Sequence, residues 1–198
     1  MLTVNQFSGF GAVGDGVVST WNPADKDADV ALSNGDRDAN VVAAAAGSVR
    51  GTLGRSTGKY YFEITIIGSS IAYSGLADGS FSLATYVGNS ANSASQNNSA
   101  NTVTGWTKAQ TGTFTVANGN VLGFAVDITL GRMWVAKTNS WQLTGDPATN
   151  ANPWVTGISG LVYPAVGAIG LTNEGGRLSS KTSELTYTPP SGFLAWGG

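Results

Sequence analysis

Histidine and cysteine are both absent from the 198 residues of this chain. The first absence removes the usual general base, the common serine triad and the commonest metal ligand. The second removes disulfides and thiolate chemistry, and without either residue zinc and iron sites are nearly excluded. Charge is scarce too: 11% of residues are Asp, Glu, Lys or Arg, where an average soluble domain carries about 25%. The ten Lys and Arg are scattered and the net charge is −2. There is thus no clustered cation to release counterions from nucleic acid. No apolar run reaches the roughly 18 residues of a membrane-spanning helix. The opening, Met1-Leu2-Thr3-Val4-Asn5-Gln6, lacks the basic start and apolar stretch of a signal peptide. The expectations are no nucleic-acid partner, no membrane insertion, no cofactor, and exit from a cell only by lysis or within a particle.

What is present is β-type sequence punctuated by Gly, Asn, Asp and Ser. In Lys59 to Ile67 the face carrying Tyr60, Phe62, Ile64 and Ile66 alternates with a more polar one carrying Tyr61, Glu63, Thr65 and Ile67. The first face should be core. Asn120 to Ile128 and Arg132 to Ala136 flank Thr129-Leu130-Gly131 and read as a hairpin, with Gly131 supplying a positive φ. Further strands are expected at Val30 to Ser33, Ile71 to Ala77, Thr113 to Val116, Tyr163 to Leu171 and Leu185 to Thr188. Short strands at this spacing indicate one all-β sandwich or barrel. Helical periodicity is confined to Val41 to Ala46, enough for one turn. Residues 1–20 read as an N-terminal arm and 21–198 as the domain. Gly88 to Thr104 has no charge, no aromatic and almost no large apolar side chain, so it reads as a long surface loop, dispensable for folding.

Several motif matches fail on context. Gly9-Phe10-Gly11-Ala12-Val13-Gly14 fits a dinucleotide fingerprint, but no helix pattern follows. Gly54-Arg55-Ser56-Thr57-Gly58 fits a nucleophile elbow, and Ser56 to Lys59 an S-x-x-K pair; both need a helix where a strand pattern begins. Asp25-Lys26-Asp27-Ala28-Asp29 starts like a calcium loop, but Val30 stands where the turn needs Gly and Asp36 where it needs Glu. A glycosidase carboxylate pair needs no histidine, yet nothing in the spacing of Asp78, Asp127, Asp146 and Glu174 singles out two of them. That leaves binding. Trp141, beside Asn139, and Trp154, beside Asn152, stand in Asn- and Pro-rich connections where an indole is harder to bury than in a strand. These four are the candidate partner-binding residues, the tryptophans as interface anchors. The competing reading is that both indoles cap one end of the sandwich.

An ordered series of short segments resembles the SPRY domain, the core of the B30.2 family, and especially the SPRY-like modules of bacteriophage proteins. Its anchors include Trp21-Asn22-Pro23, Leu32-Ser33-Asn34, Gly58 to Glu63, Gly75-Leu76-Ala77-Asp78, Val121 to Asp127, Gly131-Arg132-Met133-Trp134, Gly145 to Ala148, Tyr163 to Val166 and Tyr187 to Phe193. The resemblance spans roughly Trp21 to Trp196. It implies a bent antiparallel β-sandwich, jelly-roll-like, that is non-catalytic and holds protein ligands on loops at one end. Two functions are expected from it. One is a virion structural protein (a capsid decoration, tail or fibre component) contacting other virion proteins and further copies of itself. The other is an adhesion module that takes a host surface protein or glycan through its loops.

Overall fold

A computed structural model describes residues 16–68, 72–97, 101–112 and 114–198. Two antiparallel sheets face each other. The smaller has six strands in the order β1 (Trp21–Lys26), β4 (Gly47–Gly51), β14 (Val162–Ala168), β6 (Tyr73–Asp78), β7 (Ser93–Gln96), β8 (Asn101–Thr104). The main path of the larger runs β2 (Val30–Ser33), β3 (Asp38–Val41), β15 (Glu174–Ser179), β5 (Lys59–Ile67), β10 (Val121–Asp127), β11 (Arg132–Lys137), β13 (Val155–Thr156), β9 (Thr107–Lys108). The short β12 (Ser140–Trp141) joins β11, and β16 (Leu194–Ala195) runs parallel to β5. The only helical element among the described residues is the 3-10 turn Thr182–Glu184.

β5 organises the core as its sequence predicts, except that Tyr60 is only half-buried against it. Phe62, Ile64 and Ile66 are buried between the sheets, and Phe62 stacks on Phe124 of β10 at 5.0 Å. The more polar face of β5 departs from expectation, because its Tyr61 and Glu63 are buried as well. The chain from 185 to 193 crosses it, placing Phe193 against Tyr61 and Trp134 and covering Glu63 completely. Tyr61 Oη donates to the Glu63 carboxylate at 3.0 Å, and the N–H groups of Thr186 and Tyr187 donate at 2.7 and 2.9 Å. Burial first, and the adjacent Glu63 charge second, push the Tyr61 hydroxyl far above the ordinary tyrosine range. Leu185 to Thr188, expected as a strand, instead offers its N–H groups to this carboxylate and stays irregular.

Other expectations shift similarly. Residues 42–46 are irregular, with bends at 43–45, and form no helical turn. Residues 114–116 are irregular, and position 113 lies outside the described residues. Gly88 to Thr104 is no featureless loop. It contains β7 and β8, which pair from Ser93↔Thr104 to Gln96↔Asn101, and Ser93 to Gln96 are buried; residues 98–100 lie outside the described residues. Hydroxyls replace apolar bulk here. Ser95 Oγ donates to Val87 O at 2.5 Å, Thr104 Oγ1 to Gly88 O at 2.6 Å, and Ser93 Oγ to Ser90 O at 2.7 Å. Gly75 permits the close approach, since a Cβ there would lie 2.0 Å from Ala94 O. Of the expected arm, residues 1–15, with the Gly9–Gly14 match, lie outside the described residues, whereas Ser19 is buried and its N–H donates to Ser180 Oγ at 2.9 Å.

Candidate interaction surface

Strand register sorts the connections into two ends. Ile67 of β5 pairs with Gly175, Thr65 with Val121, Leu122 with Lys137 and Glu174 with Val41. In the other sheet Gly167 pairs with Tyr73 and Ala168 with Gly47. Among the described residues the Ile67 end therefore gathers 27–29, 42–46, 68, 72, 97, 109–112, 114–120, 138–139 and 169–173. Asp27 and Asp29 are the only charged residues in all of these connections. The two lysines at its margin fold back, Lys26 Nζ donating to Val30 O at 2.6 Å and Lys137 Nζ to Thr115 O at 2.7 Å. Exposed aliphatic side chains collect there: Val42, Ile169 and Leu171 are 51%, 40% and 49% exposed. Backbone bonds knit them into one patch, Val42 N–H to Asp29 O at 2.8 Å and Gly170 N–H to Ala44 O at 3.2 Å. A neutral, partly aliphatic surface of this kind costs little to desolvate against a protein partner.

The four residues expected to bind a partner separate. Trp154 is a correction: it is 1% exposed and belongs to the central core, not the surface. Its N–H donates to Met133 O at 2.8 Å, continuing the β11–β13 pairing by one residue, and this turns the indole inward while Asn152 stays outside. Trp141 is half-buried on the outer face of the larger sheet, edge-on to Tyr61 at 6.4 Å. Asn139 is exposed and shares with Thr138 the two-residue β11–β12 turn, at φ 63° and 48°. Two consecutive positive φ values are those of a type I′ turn, which Asn favours. Asn152 is exposed, and its Nδ2 donates to Thr144 O at 3.1 Å, bracing the segment over Trp134. Trp141, Asn139 and Asn152 thus reach the surface beside the Ile67 end. The aliphatic patch escaped the sequence reading because its residues come from connections far apart in the chain and meet only through the β3–β15 and β4–β14 pairings.

The acidic residues weighed for chemistry are spoken for. Asp127, fully buried, pairs with its cross-strand neighbour Lys59 at 3.2 Å and accepts the Leu130 N–H at 2.9 Å. Asp146 accepts from Thr149 Oγ1 at 2.7 Å. Burial works against ionisation of Asp78, but bonds from Ser80 and Asn92 outweigh it and hold the carboxyl below its ordinary value. Glu174, buried where β15 begins, is also engaged. In the Asp25–Asp29 segment, Asp25 takes a bidentate pair from Arg50 at 2.7 and 2.8 Å, and Asp27 accepts the Asp29 N–H at 2.9 Å. Ser56 and Lys59 stand on a turn and the following strand, without the helix an S-x-x-K pair requires.

No family model and no curated protein matches the chain. Solved structures do. The SPRY domain of human HERC1 superposes with a TM-score of 0.62 at 12% identity, covering 85% of this chain and 99% of that one. The PSpry domain of TRIM65 gives 0.59 at 13% identity, covering 81% and 91%. Stonustoxin gives 0.54 at 18% identity, covering 81% of this chain and 27% of the toxin chain. At these identities the likeness is one of fold: the chain folds as a SPRY-type β-sandwich.

Proposed function

We propose that this protein is a non-catalytic structural component of a bacteriophage virion, a capsid decoration, tail or fibre protein that works by protein contact at the Ile67 end. SPRY domains are generally protein-interaction modules, which supports the non-enzymatic part of the reading. The observation that carries it is the aliphatic patch of Val42, Ile169 and Leu171 on an end whose connections hold no cation. A chain poor in charge and without His or Cys suits a particle surface assembled through neutral contacts. In this reading other virion proteins are the partners and the virion is the location.

The second reading, adhesion to a host protein or glycan, draws on Asn139, Asn152 and the half-buried Trp141, which supply amides and one aromatic ring next to the same end. Particle incorporation separates the two. Val42→Asp and Ile169→Asp replace exposed side chains, so both variants should fold. If the end docks on the particle, incorporation falls by roughly tenfold or more, as when an interface anchor is lost. Undiminished incorporation combined with lost host attachment would favour adhesion.

A further inference from the structure

We infer that Asn34 is a site of spontaneous covalent modification, where the side chain closes on the backbone nitrogen of Gly35, loses ammonia and becomes a carboxylate. This chemistry needs an asparagine followed by an unhindered nitrogen. The sequence holds two such pairs, Asn34-Gly35 and Asn118-Gly119. Every other described Asn precedes a residue with a side chain, which crowds the attacking nitrogen. The fold leaves one of the two pairs free and ties the other.

Asn34 and Gly35 open the four-residue connection between β2 and β3, just beyond the Ser33↔Asp38 pair, at φ 53° and 63°. Asn and Gly adopt left-handed backbone more readily than other residues, which suits this pair to the turn. Both are exposed, and a Cβ built on Gly35 would meet nothing within 4 Å. Among the described residues no group accepts the Gly35 N–H, and none bonds the Asn34 side-chain amide. One long bond, Arg37 N–H to Asn34 O at 3.4 Å, spans the turn. Asn118 is exposed as well, but Gly119 N–H donates to Ile66 O at 2.9 Å. Asn120 N–H donates to Ala117 O at 3.0 Å, and Ala117 N–H to Asn120 Oδ1 at 3.0 Å. There the nitrogen that would attack is engaged, and two further bonds close the turn around it. Asp78-Gly79 invites the same closure from a carboxyl group, but Ser80 and Asn92 hold that carboxyl at 2.6 and 2.7 Å.

In the reaction the Gly35 nitrogen gives its proton to hydroxide and attacks Cγ of Asn34. The N–Cγ bond forms, the Cγ–Nδ2 bond breaks, and Nδ2 takes a proton from water and leaves as ammonia. Water then opens the five-membered imide at either carbonyl, leaving an aspartyl or an isoaspartyl residue at position 34. The net charge of −2 becomes one unit more negative. The new carboxylate joins Asp36 and Asp38 beside the Arg37–Glu184 and Arg177–Asp38 pairs. The isoaspartyl form also lengthens the main chain of this edge hairpin by one carbon.

Peptide mapping by mass spectrometry tests this, after the folded chain has stood for weeks at physiological temperature and mildly alkaline pH. Trypsin cuts after Lys26 and Arg37, and the segment 27–37 holds Asn34 as its only amide side chain. That segment should gain one mass unit at least roughly fivefold faster than Asn118 does, the factor that one backbone hydrogen bond contributes. In denaturant, where both glycine nitrogens are free, the two sites should convert at similar rates. Asn34→Gln, which would need a less favoured six-membered ring, should silence segment 27–37. The comparison of folded with denatured chain needs no variant. Equal rates in the folded chain, or faster conversion at Asn118, overturn the inference. So does a folded chain whose segment 27–37 stays unchanged while the denatured chain converts.

Discussion

Trp154 and Trp141 are alike in sequence context and opposite in role. Both follow Asn in a polar connection, yet one indole is in the core and the other half-out. Trp154→Ala should therefore cost about 3–5 kcal/mol of stability, the range for emptying a core site of this size. Trp141→Ala should cost far less. Chemical denaturation of the two variants measures the contrast, and equal losses would place Trp141 in the core. Glu63 makes the same point for charge. Alternation along β5 predicts an exposed carboxylate, but the strand has cover on both faces, and the covering chain lies more than a hundred residues away. Glu63→Ala would strand three donors, the Tyr61 hydroxyl and two backbone N–H groups, and should cost about 2–4 kcal/mol. A change below about 0.5 kcal/mol in the same measurement would mean that the covering segment does not depend on this anchor.

The hairpin of β7 and β8 shows where sequence reasoning stops at the level of elements. β5, β10, β11 and the turn through Gly131, at φ 66°, are legible because alternating apolar residues and a turn glycine carry their own signal. Ser93 to Gln96 carry none. Their burial depends on hydroxyl-to-carbonyl bonds with residues 87–90 and on Gly75 beneath them, and neither is visible in local hydropathy. Replacing residues 89–103 by a short Gly-Ser turn should accordingly lower the melting temperature sharply or abolish soluble expression, whereas a dispensable loop would tolerate the change. The neighbouring 79–92 segment is tied by Asp78, whose carboxyl is held below its ordinary value. A depressed acid stabilises the fold above its unfolded value, and this contribution is lost as pH falls through the folded one. Melting temperature should therefore decline below about pH 4, and Asp78→Asn should flatten part of that decline. The β11–β12 turn offers a gain. Thr138, β-branched and exposed at φ 48°, is strained there, so Thr138→Gly should stabilise by about 0.5–1 kcal/mol. A loss on substitution would mean that the threonine side chain makes a contribution the backbone geometry does not explain.

At the scale of the whole molecule, the sandwich closes its sides and opens its ends. Chain folded over both outer faces and exposed large aliphatic side chains at the two ends, among the described residues, are the features on which the proposed contact function rests. The spacing of short strands indicated a sandwich or a barrel, and the resemblance to the SPRY domain implied the sandwich that the structure shows. The pairing of Val42 with Ile169 and Leu171 did not, because it is created by topology. Electron microscopy of the native particle tests the central claim most directly. The account predicts density for this sandwich on the virion, with the Ile67 end buried against a neighbouring protein copy. Particles without it, or with that end facing solvent while a flat outer face makes the contacts, would contradict the account.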